Sequence, residues 1–488
     1  MLQRLRRAAL CAAALAVAGP GFAREPLQPR VEAILAKAGP GPRFGLVVAA
    51  PDGRELVAIA PDDRFIPASN TKMFTTAGAF ASLPGIDLPD AAGGATVRLE
   101  KDGRGPPDVI LTGNGDARLS SAADCISNCL SALADAVAAR TRRVDDIIGD
   151  DSLFPDQRWS PGMSWNNIPS AYGTGVSALS LDDNEIALRV IPTALGAPPR
   201  LELPLPYYQV DNRAVTVAEG ETDLTADRLP AERIVRLTGT ILATAEPEVV
   251  RLGIDDPADY AAWRLKTLLE ARGVKVGGVI QTRHRPFLPA DDPEKRGGAR
   301  PVQRSPAAEV LSRLTPPPLG EDLKTINKAS QNLHSELILR RLGLIAGTGS
   351  IEDGQAVIEA MLARAGVPRT GFDFSDGSGM STYNRLAPRP VVTFLRWVSE
   401  QYWGAAWRAT LPIAGFDGTL RNRFKGTSLQ GRLFAKTGTL NATHALSGYM
   451  IARSGRTLTF SAFANDVPED VKVRAVMDEA LQLVADEN

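Results

Sequence analysis

The stretch IPASNTKMFTTAGAF, residues 66–80, places a serine and a lysine three positions apart at the start of a predicted helix. The apolar side chains of Met73 and Phe74 recur further along it at helical spacing. Side chains at positions i and i+3 of a helix share one face, so Ser69 and Lys72 are neighbours. A serine hydroxyl needs a base to act as a nucleophile, and a lysine whose pKa is lowered by burial can be that base.

The Ser69–Lys72 pair alone is a weak signal, because a helix cap followed by a surface lysine looks the same. Two further motifs strengthen it. Ser330-Gln331-Asn332 opens another predicted helix, although alone it is only an N-cap serine, and Lys436-Thr437-Gly438-Thr439 lies on a predicted strand. In this order, the three motifs form the active-site set of penicillin-recognising serine enzymes.

Strand-like runs occur near both ends of the chain. Five runs read as strands: residues 44–50, 55–60, 431–440, 444–452 and 457–465. An amphipathic helix over about residues 473–484 follows the last of them. Terminal strands gathered in one antiparallel sheet, with helices between them, predict a discontinuous α+β domain.

The middle of the chain has a different texture. It holds short β-rich runs punctuated by Gly and Pro, such as residues 209–217, and one clear helix over about residues 256–272. We therefore predict an inserted module of one or two smaller domains over residues 91–302. The catalytic domain is expected to comprise residues 24–90 and 303–488.

Composition and charge exclude several classes of protein. The 488 residues include 55 Lys+Arg and 56 Asp+Glu, a net charge of −1, which disfavours nucleic-acid binding and a polybasic membrane surface. Three cysteines and three histidines are too few for a zinc-finger array or a disulfide-dense scaffold. No metal and no other cofactor is predicted.

The first 23 residues have the layout of a secretory signal peptide. Arg4, Arg6 and Arg7 precede an apolar run, and small residues lead to a cleavage site after Ala23. The run is too short to span a hydrocarbon core of about 30 Å, and no later run is long enough, so no transmembrane segment is predicted. The mature protein is expected in the periplasm.

That compartment permits disulfides. The mature chain keeps a pair of cysteines, Cys125 and Cys129, which we interpret as structural. A bridge closing this short loop would add little stability. Metal ligation by the pair is disfavoured because no histidine is close in sequence, and the sequence leaves open whether the bridge forms.

The motifs identify the chain as similar to the D-alanyl-D-alanine carboxypeptidase/endopeptidase family, the PBP4-like, class C low-molecular-mass penicillin-binding proteins of serine peptidase family S13. Further similarity lies in residues 111–116, 177–184 and 376–381. The interval from Ser69 to Ser330 is far longer than in simpler penicillin-recognising enzymes, which fits the two inserted domains of this family. The resemblance implies a β-lactamase/transpeptidase-like α/β (α+β) fold, with a five-stranded antiparallel sheet flanked by helices and large β-rich insertions.

The resemblance also implies a role for each motif residue. Ser69 attacks the substrate carbonyl, Lys72 accepts the serine proton, and Ser330 relays a proton toward the leaving amine. The backbone N–H groups of Ser69 and Thr439 form the oxyanion hole. The implied substrate-binding residues are Asn332, Lys436, Thr437, Gly438 and Thr439, with Lys436 supplying positive charge for a terminal carboxylate.

The pocket for the stem peptide departs from the family pattern. Some relatives have an acidic residue after a tryptophan in the insert and an arginine after the Gly-Ser-Gly stretch. In this chain the neutral Asn167 and Thr382 align there, so a matched charge pair is absent. The resemblance adds Ser378, Gly379 and Leu440 to the expected pocket.

The implied function is that of a serine DD-peptidase acting on peptidoglycan stem peptides and inhibited by β-lactams. Carboxypeptidase and cross-link endopeptidase activities use the same site. One alternative is a β-lactamase- or esterase-like hydrolase, for which no deacylation base can be assigned. Another is a non-catalytic peptidoglycan-binding scaffold, which would need neither Ser69 nor Lys72. We expect His334 and His444 to be structural or surface residues, and His284 to be solvated.

Overall fold

The computed structural model describes residues 26–488 except residues 102, 104, 298, 300 and 302–308. The predicted signal peptide, residues 1–23, lies outside the described residues. The described chain contains eleven α-helices: α1 (Leu27–Leu35), α2 (Thr71–Ser82), α3 (Leu130–Arg140), α4 (Pro257–Ala271), α5 (Pro293–Arg296), α6 (Leu319–Lys328), α7 (Asn332–Gly343), α8 (Ile351–Arg364), α9 (Pro388–Glu400), α10 (Gly404–Ala409) and α11 (Val473–Glu487).

The same described part of the chain contains twenty-one β-strands: β1 (Arg43–Ala49), β2 (Glu55–Ile59), β3 (Thr96–Glu100), β4 (Asp108–Thr112), β5 (Arg143–Val144), β6 (Ile147–Asp150), β7 (Glu185–Ile191), β8 (Arg200–Glu202), β9 (Gln209–Asn212), β10 (Val215–Val217), β11 (Asp223–Asp227), β12 (Ile234–Leu242), β13 (Glu248–Gly253), β14 (Lys275–Val276), β15 (Ile280–Arg283), β16 (Ser312–Arg313), β17 (Phe372–Asp373), β18 (Arg385–Leu386), β19 (Leu433–Leu440), β20 (Thr443–Ile451) and β21 (Thr457–Asn465).

The five strands predicted near the chain ends form one antiparallel sheet in the order β19-β20-β21-β1-β2. This confirms the predicted five-stranded sheet. The pairing brings the first strand of the chain against the last, since Val47 lies opposite Ser461. Strand β19, which carries the Lys-Thr-Gly motif, lies at one edge of the sheet and is therefore open to groups that approach from the side.

Helices cover both faces of this sheet, because its strands are apolar on both sides. Helices α1 and α11 cover one face, where Val31 and Leu481 are fully buried against the strands. Helices α2, α6, α7, α8 and α9 form the other layer, with Phe74, Leu339 and Phe394 in its core. The start of α2 thus lies beside the edge strand β19.

The insert has its own sheets and its own core. Its largest sheet has the order β15-β6-β4-β3-β16, and smaller sheets have the orders β13-β7-β8 and β10-β12-β11, with β9 also paired to β12. Leu111, Leu188 and Leu265 are fully buried in one core shared by these sheets and by α3 and α4. Strand β16 still pairs with β3, so this sheet continues past residue 302, where the sequence analysis placed the end of the module.

Helix α7 fixes the insert to the rest of the molecule. Leu333 and Leu337 on this helix pack against Phe154 and Ala178 of the insert. Next to them the His334 ring lies between two carboxylates, and its closer contact, Nε2 to an oxygen of Asp183 in the insert, is 2.8 Å. The insert is therefore anchored directly beside the Ser-x-Asn motif.

The expectation that His284 is solvated is wrong. Its side chain is only 23% exposed, and its ring nitrogens lie 2.9 Å from Asp151 and 3.2 Å from Asp256. Hydrogen bonds to these two carboxylates raise the pKa of His284 to about 10. Two arginine neighbours in sequence suggested a solvated cluster, but the carboxylates that surround this histidine come from distant parts of the chain.

Two smaller expectations concern cysteines and membrane segments. Cys125 and Cys129 form a disulfide just before α3, which answers the question that the sequence left open. Among the helices in the described part of the chain, none is long and apolar enough to cross a membrane.

Candidate active site

A short 3-10 turn, Ala68–Asn70, presents Ser69 at the start of α2. One turn further, Lys72 is completely buried, so the alternative of a surface lysine is wrong. Its Nζ donates hydrogen bonds to Ser69 Oγ at 2.9 Å, to Asn332 Oδ1 at 2.6 Å and to the Ser378 carbonyl at 2.6 Å. The lysine therefore points at the serine hydroxyl from a fixed position.

The surroundings of Lys72 suit it to accept a proton. Burial lowers the pKa of its ammonium group, and the charges of Asp376 and Glu336 oppose that shift, leaving the pKa at about 7. Near neutral pH, Lys72 is thus a free amine in a large fraction of the protein molecules. A base with a pKa near the working pH is the arrangement that favours proton transfer from a hydroxyl.

Glu336 holds the backbone that contacts this lysine. Its Oε1 accepts hydrogen bonds from the backbone N–H groups of Gly377 at 3.0 Å and Ser378 at 2.8 Å, and its other oxygen accepts from Arg340. The carbonyl of Ser378 is thereby aimed at Lys72. Glu336 is nearly buried, so a carboxylate at this depth needs these donors.

Asp376 is the second buried carboxyl group near Lys72. It accepts hydrogen bonds from the N–H groups of Gly379 at 2.8 Å and Ser381 at 2.6 Å, and from the Asn384 amide at 2.7 Å. Burial, together with the nearby charge of Glu336, outweighs these bonds and raises the pKa of Asp376 to about 6.

The Ser-x-Asn motif lies at the start of α7, but Ser330 is not its cap. Gln331 is the N-cap, and its side chain accepts a hydrogen bond from the backbone N–H of Leu333 at 2.8 Å. Ser330 precedes the cap with a left-handed φ of +64°, and its Oγ accepts a hydrogen bond from Lys436 Nζ at 2.9 Å. The alternative of a simple N-cap serine is therefore wrong.

Lys436 is as deeply buried as Lys72. Besides Ser330 it donates to the carbonyl of Thr437 at 3.0 Å, and its own carbonyl accepts from the Asn70 amide at 2.9 Å. Burial and the charge of Lys72 lower the pKa of Lys436 well below its ordinary value. Lys72 thus contacts Ser69 directly, whereas Lys436 contacts Ser330.

Two glycines allow the backbone to close around the nucleophile. A Cβ on Gly438 would lie 2.8 Å from the Pro67 carbonyl, and a Cβ on Gly379 would lie 1.9 Å from the Ala68 carbonyl. Gly379 also has a φ of +88°, which side chains disfavour. The turn that holds Ser69 is therefore wedged between the motif strand and the loop 376–381.

A cavity of about 300 Å³ opens above these groups. Among its lining residues are six that the sequence analysis predicted for the site: Ser69, Ser330, Asn332, Thr437, Gly438 and Thr439. Nine others that the analysis did not assign to it also line it, among them Tyr172, Met380, Thr419, Arg423, His444 and Arg474. The two predicted lysines lie beneath this surface.

Some of the unassigned residues left a signal in the sequence and others did not. Glu336 follows Asn332 by four residues, so both lie on one helical face, and this spacing could have revealed it. Tyr172 comes from the insert, and its carbonyl accepts a hydrogen bond from the Asn332 amide at 2.9 Å. His444 lies opposite Thr439 on the next strand, with Nδ1 3.5 Å from its hydroxyl.

The five residues expected in the stem-peptide pocket are spread more widely. Ser378 lines a narrower cavity beside the first, and Gly379 packs on the serine turn. Thr382 donates from its hydroxyl to the Gly162 carbonyl, while Leu440 is nearly buried. Of the five, only Ser378 lines either cavity, since Gly379, Asn167, Thr382 and Leu440 line neither.

Comparison with known proteins identifies the family. Residues 27–486 match the sequence profile of the D-Ala-D-Ala carboxypeptidase 3 (S13) family. This chain belongs to that family. A D-alanyl-D-alanine carboxypeptidase of Actinomadura sp. is 34% identical over 441 residues, which cover 86% of this chain and 77% of the relative.

Solved structures show that the fold is shared. Penicillin binding protein 4 of Haemophilus influenzae has a TM-score of 0.77 at 19% identity, covering 94% of this chain and 98% of its own. A structure of the same protein complexed with a β-lactam has a TM-score of 0.73 at 18% identity, covering 94% of this chain and 99% of its own. The predicted family and fold class are confirmed, and this S13 chain is a serine-type DD-peptidase.

Proposed function

We propose that this DD-peptidase forms its acyl-enzyme on Ser69, with Lys72 as the general base. The observation that supports this most directly is the 2.9 Å hydrogen bond between Lys72 Nζ and Ser69 Oγ. A completely buried lysine that is hydrogen-bonded to a serine hydroxyl is in position to accept the serine proton. The reaction belongs to the domain that we assign to residues 24–90 and 303–488, with residues 91–302 as the inserted module.

The acylation step follows from these positions. The Ser69 hydroxyl transfers its proton to the free amine of Lys72 as its oxygen attacks the carbonyl carbon of the penultimate D-alanine. The oxyanion is stabilised by the N–H groups of Ser69 and Thr439, each such donor being worth about 3 kcal/mol. Ser330, whose Oγ accepts a hydrogen bond from Lys436, relays the proton that Lys72 received to the leaving amine, and the C–N bond breaks.

Deacylation completes the cycle. Water attacks the Ser69 ester, the acyl group leaves as a carboxylic acid, and the serine recovers its proton. Asn332 holds Lys72 and faces the cavity, where it can bind the substrate backbone. A β-lactam that opens on Ser69 leaves no amine to depart, since its leaving nitrogen remains tethered to the acyl group.

The substrates that we propose are peptidoglycan stem peptides in the periplasm, reached after removal of the signal peptide, residues 1–23. Free D-Ala-D-Ala ends and D-alanyl cross-links present the same type of amide. Carboxypeptidase and endopeptidase activities therefore both fit this site.

The first experiment is intact-protein mass spectrometry after incubation with benzylpenicillin. We expect one adduct on the parent chain and none on Ser69→Ala. Ser399→Ala, which alters an exposed serine on α9, is the matched control and should be acylated like the parent. Release of D-alanine from a peptide ending in D-Ala-D-Ala should be lost in Ser69→Ala alone.

Other outcomes separate the alternatives. No adduct with the antibiotic intact would contradict acylation of Ser69 and favour a scaffold. No adduct with the antibiotic hydrolysed would indicate fast deacylation, as in a β-lactamase-like enzyme.

A further inference from the structure

The leaving residue of a D-Ala-D-Ala substrate ends in a carboxylate, and the buried Lys436 is poorly placed to meet it. Its side chain is 0% exposed, and its Nζ already donates to Ser330 Oγ and the Thr437 carbonyl. Burial and the charge of Lys72 also lower its pKa. The positive charge that the resemblance attributes to Lys436 is thus not directed into the cavity.

A different cation does face the cavity. Arg474 lies in the first turn of α11, is exposed, and lines the same cavity as Ser69, Thr437 and Thr439. Within the part of the chain that the structure describes, its guanidinium makes no hydrogen bond or ion pair to another side chain. A free arginine in a reaction cavity is available to bind an anion from solution.

The charged groups around Arg474 do not neutralise the positive charge of its guanidinium. The guanidinium of Arg423 also lines the cavity, but it is paired with Asp478 on α11. Burial and the charges of the two arginines lower the pKa of His444, so this ring is neutral at neutral pH. Asp470 and Asp478 are the acidic residues nearest in sequence, each four positions away, and Asp478 is already paired with Arg423.

We propose that Arg474 anchors a carboxylate subsite on the leaving-group side of the site, together with the hydroxyls of Thr437 and Thr439. This inference rests on the proposed function. Its ligand is the α-carboxylate of the departing D-amino acid, or the corresponding carboxylate of a β-lactam. The hydroxyls supply directional hydrogen bonds, and Arg474 supplies the charge that Lys436 does not present to the cavity.

The test compares two peptides that differ only in the last group, one ending in D-Ala-D-alanine and one in D-Ala-D-alaninamide. In Arg474→Gln we expect kcat/KM for the acid to fall by roughly 10- to 100-fold, the range for a lost charge-assisted hydrogen bond. For the amide, kcat/KM should change less than about twofold, because it carries no anion for the arginine to bind. Arg474→Lys should restore part of the loss.

Arg364→Gln, which alters an exposed arginine at the end of α8, is the matched control and should affect neither peptide. Equal losses on acid and amide in Arg474→Gln would overturn the proposal, since they would indicate a general disturbance. Unchanged activity on both would overturn it as well. Failure of the proposed function has a different signature, because the parent chain would then cleave neither peptide.

Discussion

At the scale of single residues, the two buried lysines differ in what surrounds them. Lys72 has the carboxyl groups of Asp376 and Glu336 nearby, which offset burial and keep its pKa at about 7. For Lys436 the charge of Lys72 acts in the same direction as burial, and both lower its pKa well below its ordinary value. The same residue type therefore serves as a titrating base at one position and as a fixed hydrogen-bond donor at the other.

Asp376→Asn tests this account of Lys72. Removing the negative charge should lower the pKa of Lys72 below about 7, because that charge favours the ammonium form. Only the free amine accepts the serine proton, so the acylation rate of the parent should rise with pH through about 7. In the variant we expect this rise at lower pH. Benzylpenicillin acylation rates measured from pH 5 to 8 give both midpoints.

The control for that measurement is Asp373→Asn, which alters a partly exposed carboxylate paired with Arg64 and Arg369. It should leave the midpoint near that of the parent. A midpoint in Asp376→Asn that stays fixed or moves upward would contradict the electrostatic role. Thermal melting shows whether each variant remains folded.

The sequence predicted the motif residues of this site but not their whole environment. Ser69 and Lys72 were predictable because helical spacing joins residues close along the chain. Tyr172 and Arg474 were not, since they reach the cavity only through packing of the insert and of α11. Serine is a common N-cap, so the sequence alone could not show that Gln331 rather than Ser330 accepts the capping hydrogen bond of α7.

At the scale of elements, the serine turn depends on close backbone contacts from two directions. Gly379→Ala should displace the turn, because its Cβ would meet the Ala68 carbonyl at 1.9 Å. We expect benzylpenicillin acylation to slow by at least 100-fold, the order seen when reacting groups are misplaced by about 1 Å. Gly366→Ala is the matched control: its φ is +69°, but its Cβ has open space. Equal rates in both variants would contradict this role for the loop.

Two variants at the start of α7 distinguish the roles of the adjacent residues Ser330 and Gln331. Gln331→Ala removes the cap and should lower stability by roughly 1 kcal/mol while leaving acylation within a few-fold of the parent. Ser330→Ala keeps the cap but removes the acceptor of Lys436, so it should slow acylation with little change in stability. Urea unfolding and acylation rates measure both effects. The reverse pattern would show that Ser330 stabilises the helix.

At the scale of the whole molecule, a histidine joins the insert to the catalytic domain. His334 on α7 lies 2.8 Å from Asp183 of the insert and 3.0 Å from Asp322 on α6, and Asp322 is also paired with Arg118 of the insert. Burial lowers the pKa of His334, but the hydrogen bonds to both carboxylates outweigh it and raise the pKa to about 9.

This contact predicts a pH-dependent effect of His334→Gln. A histidine whose folded-state pKa lies above its unfolded value of about 6.5 stabilises fully below that pH and loses its contribution as pH rises to about 9. The difference in Tm between parent and variant should therefore be largest near pH 6 and shrink by pH 9.5. His284 is present in both proteins and cancels. A constant difference in Tm would contradict a charged His334.

Strand β3, the first strand of the insert, is a neighbour of β16, which follows the insert in the chain, since Val97 on β3 pairs with Ser312 on β16. The polypeptide therefore leaves the catalytic domain and returns to it at adjacent positions. A short linker between these two strands could replace everything between them without changing the connectivity of the catalytic domain. Such a truncated enzyme would nevertheless lose the Tyr172 carbonyl that holds the Asn332 amide. The connectivity of the chain thus permits removal of the insert, but the site needs one of its hydrogen-bond acceptors. Any miniaturised version of this enzyme must supply another acceptor for the Asn332 amide.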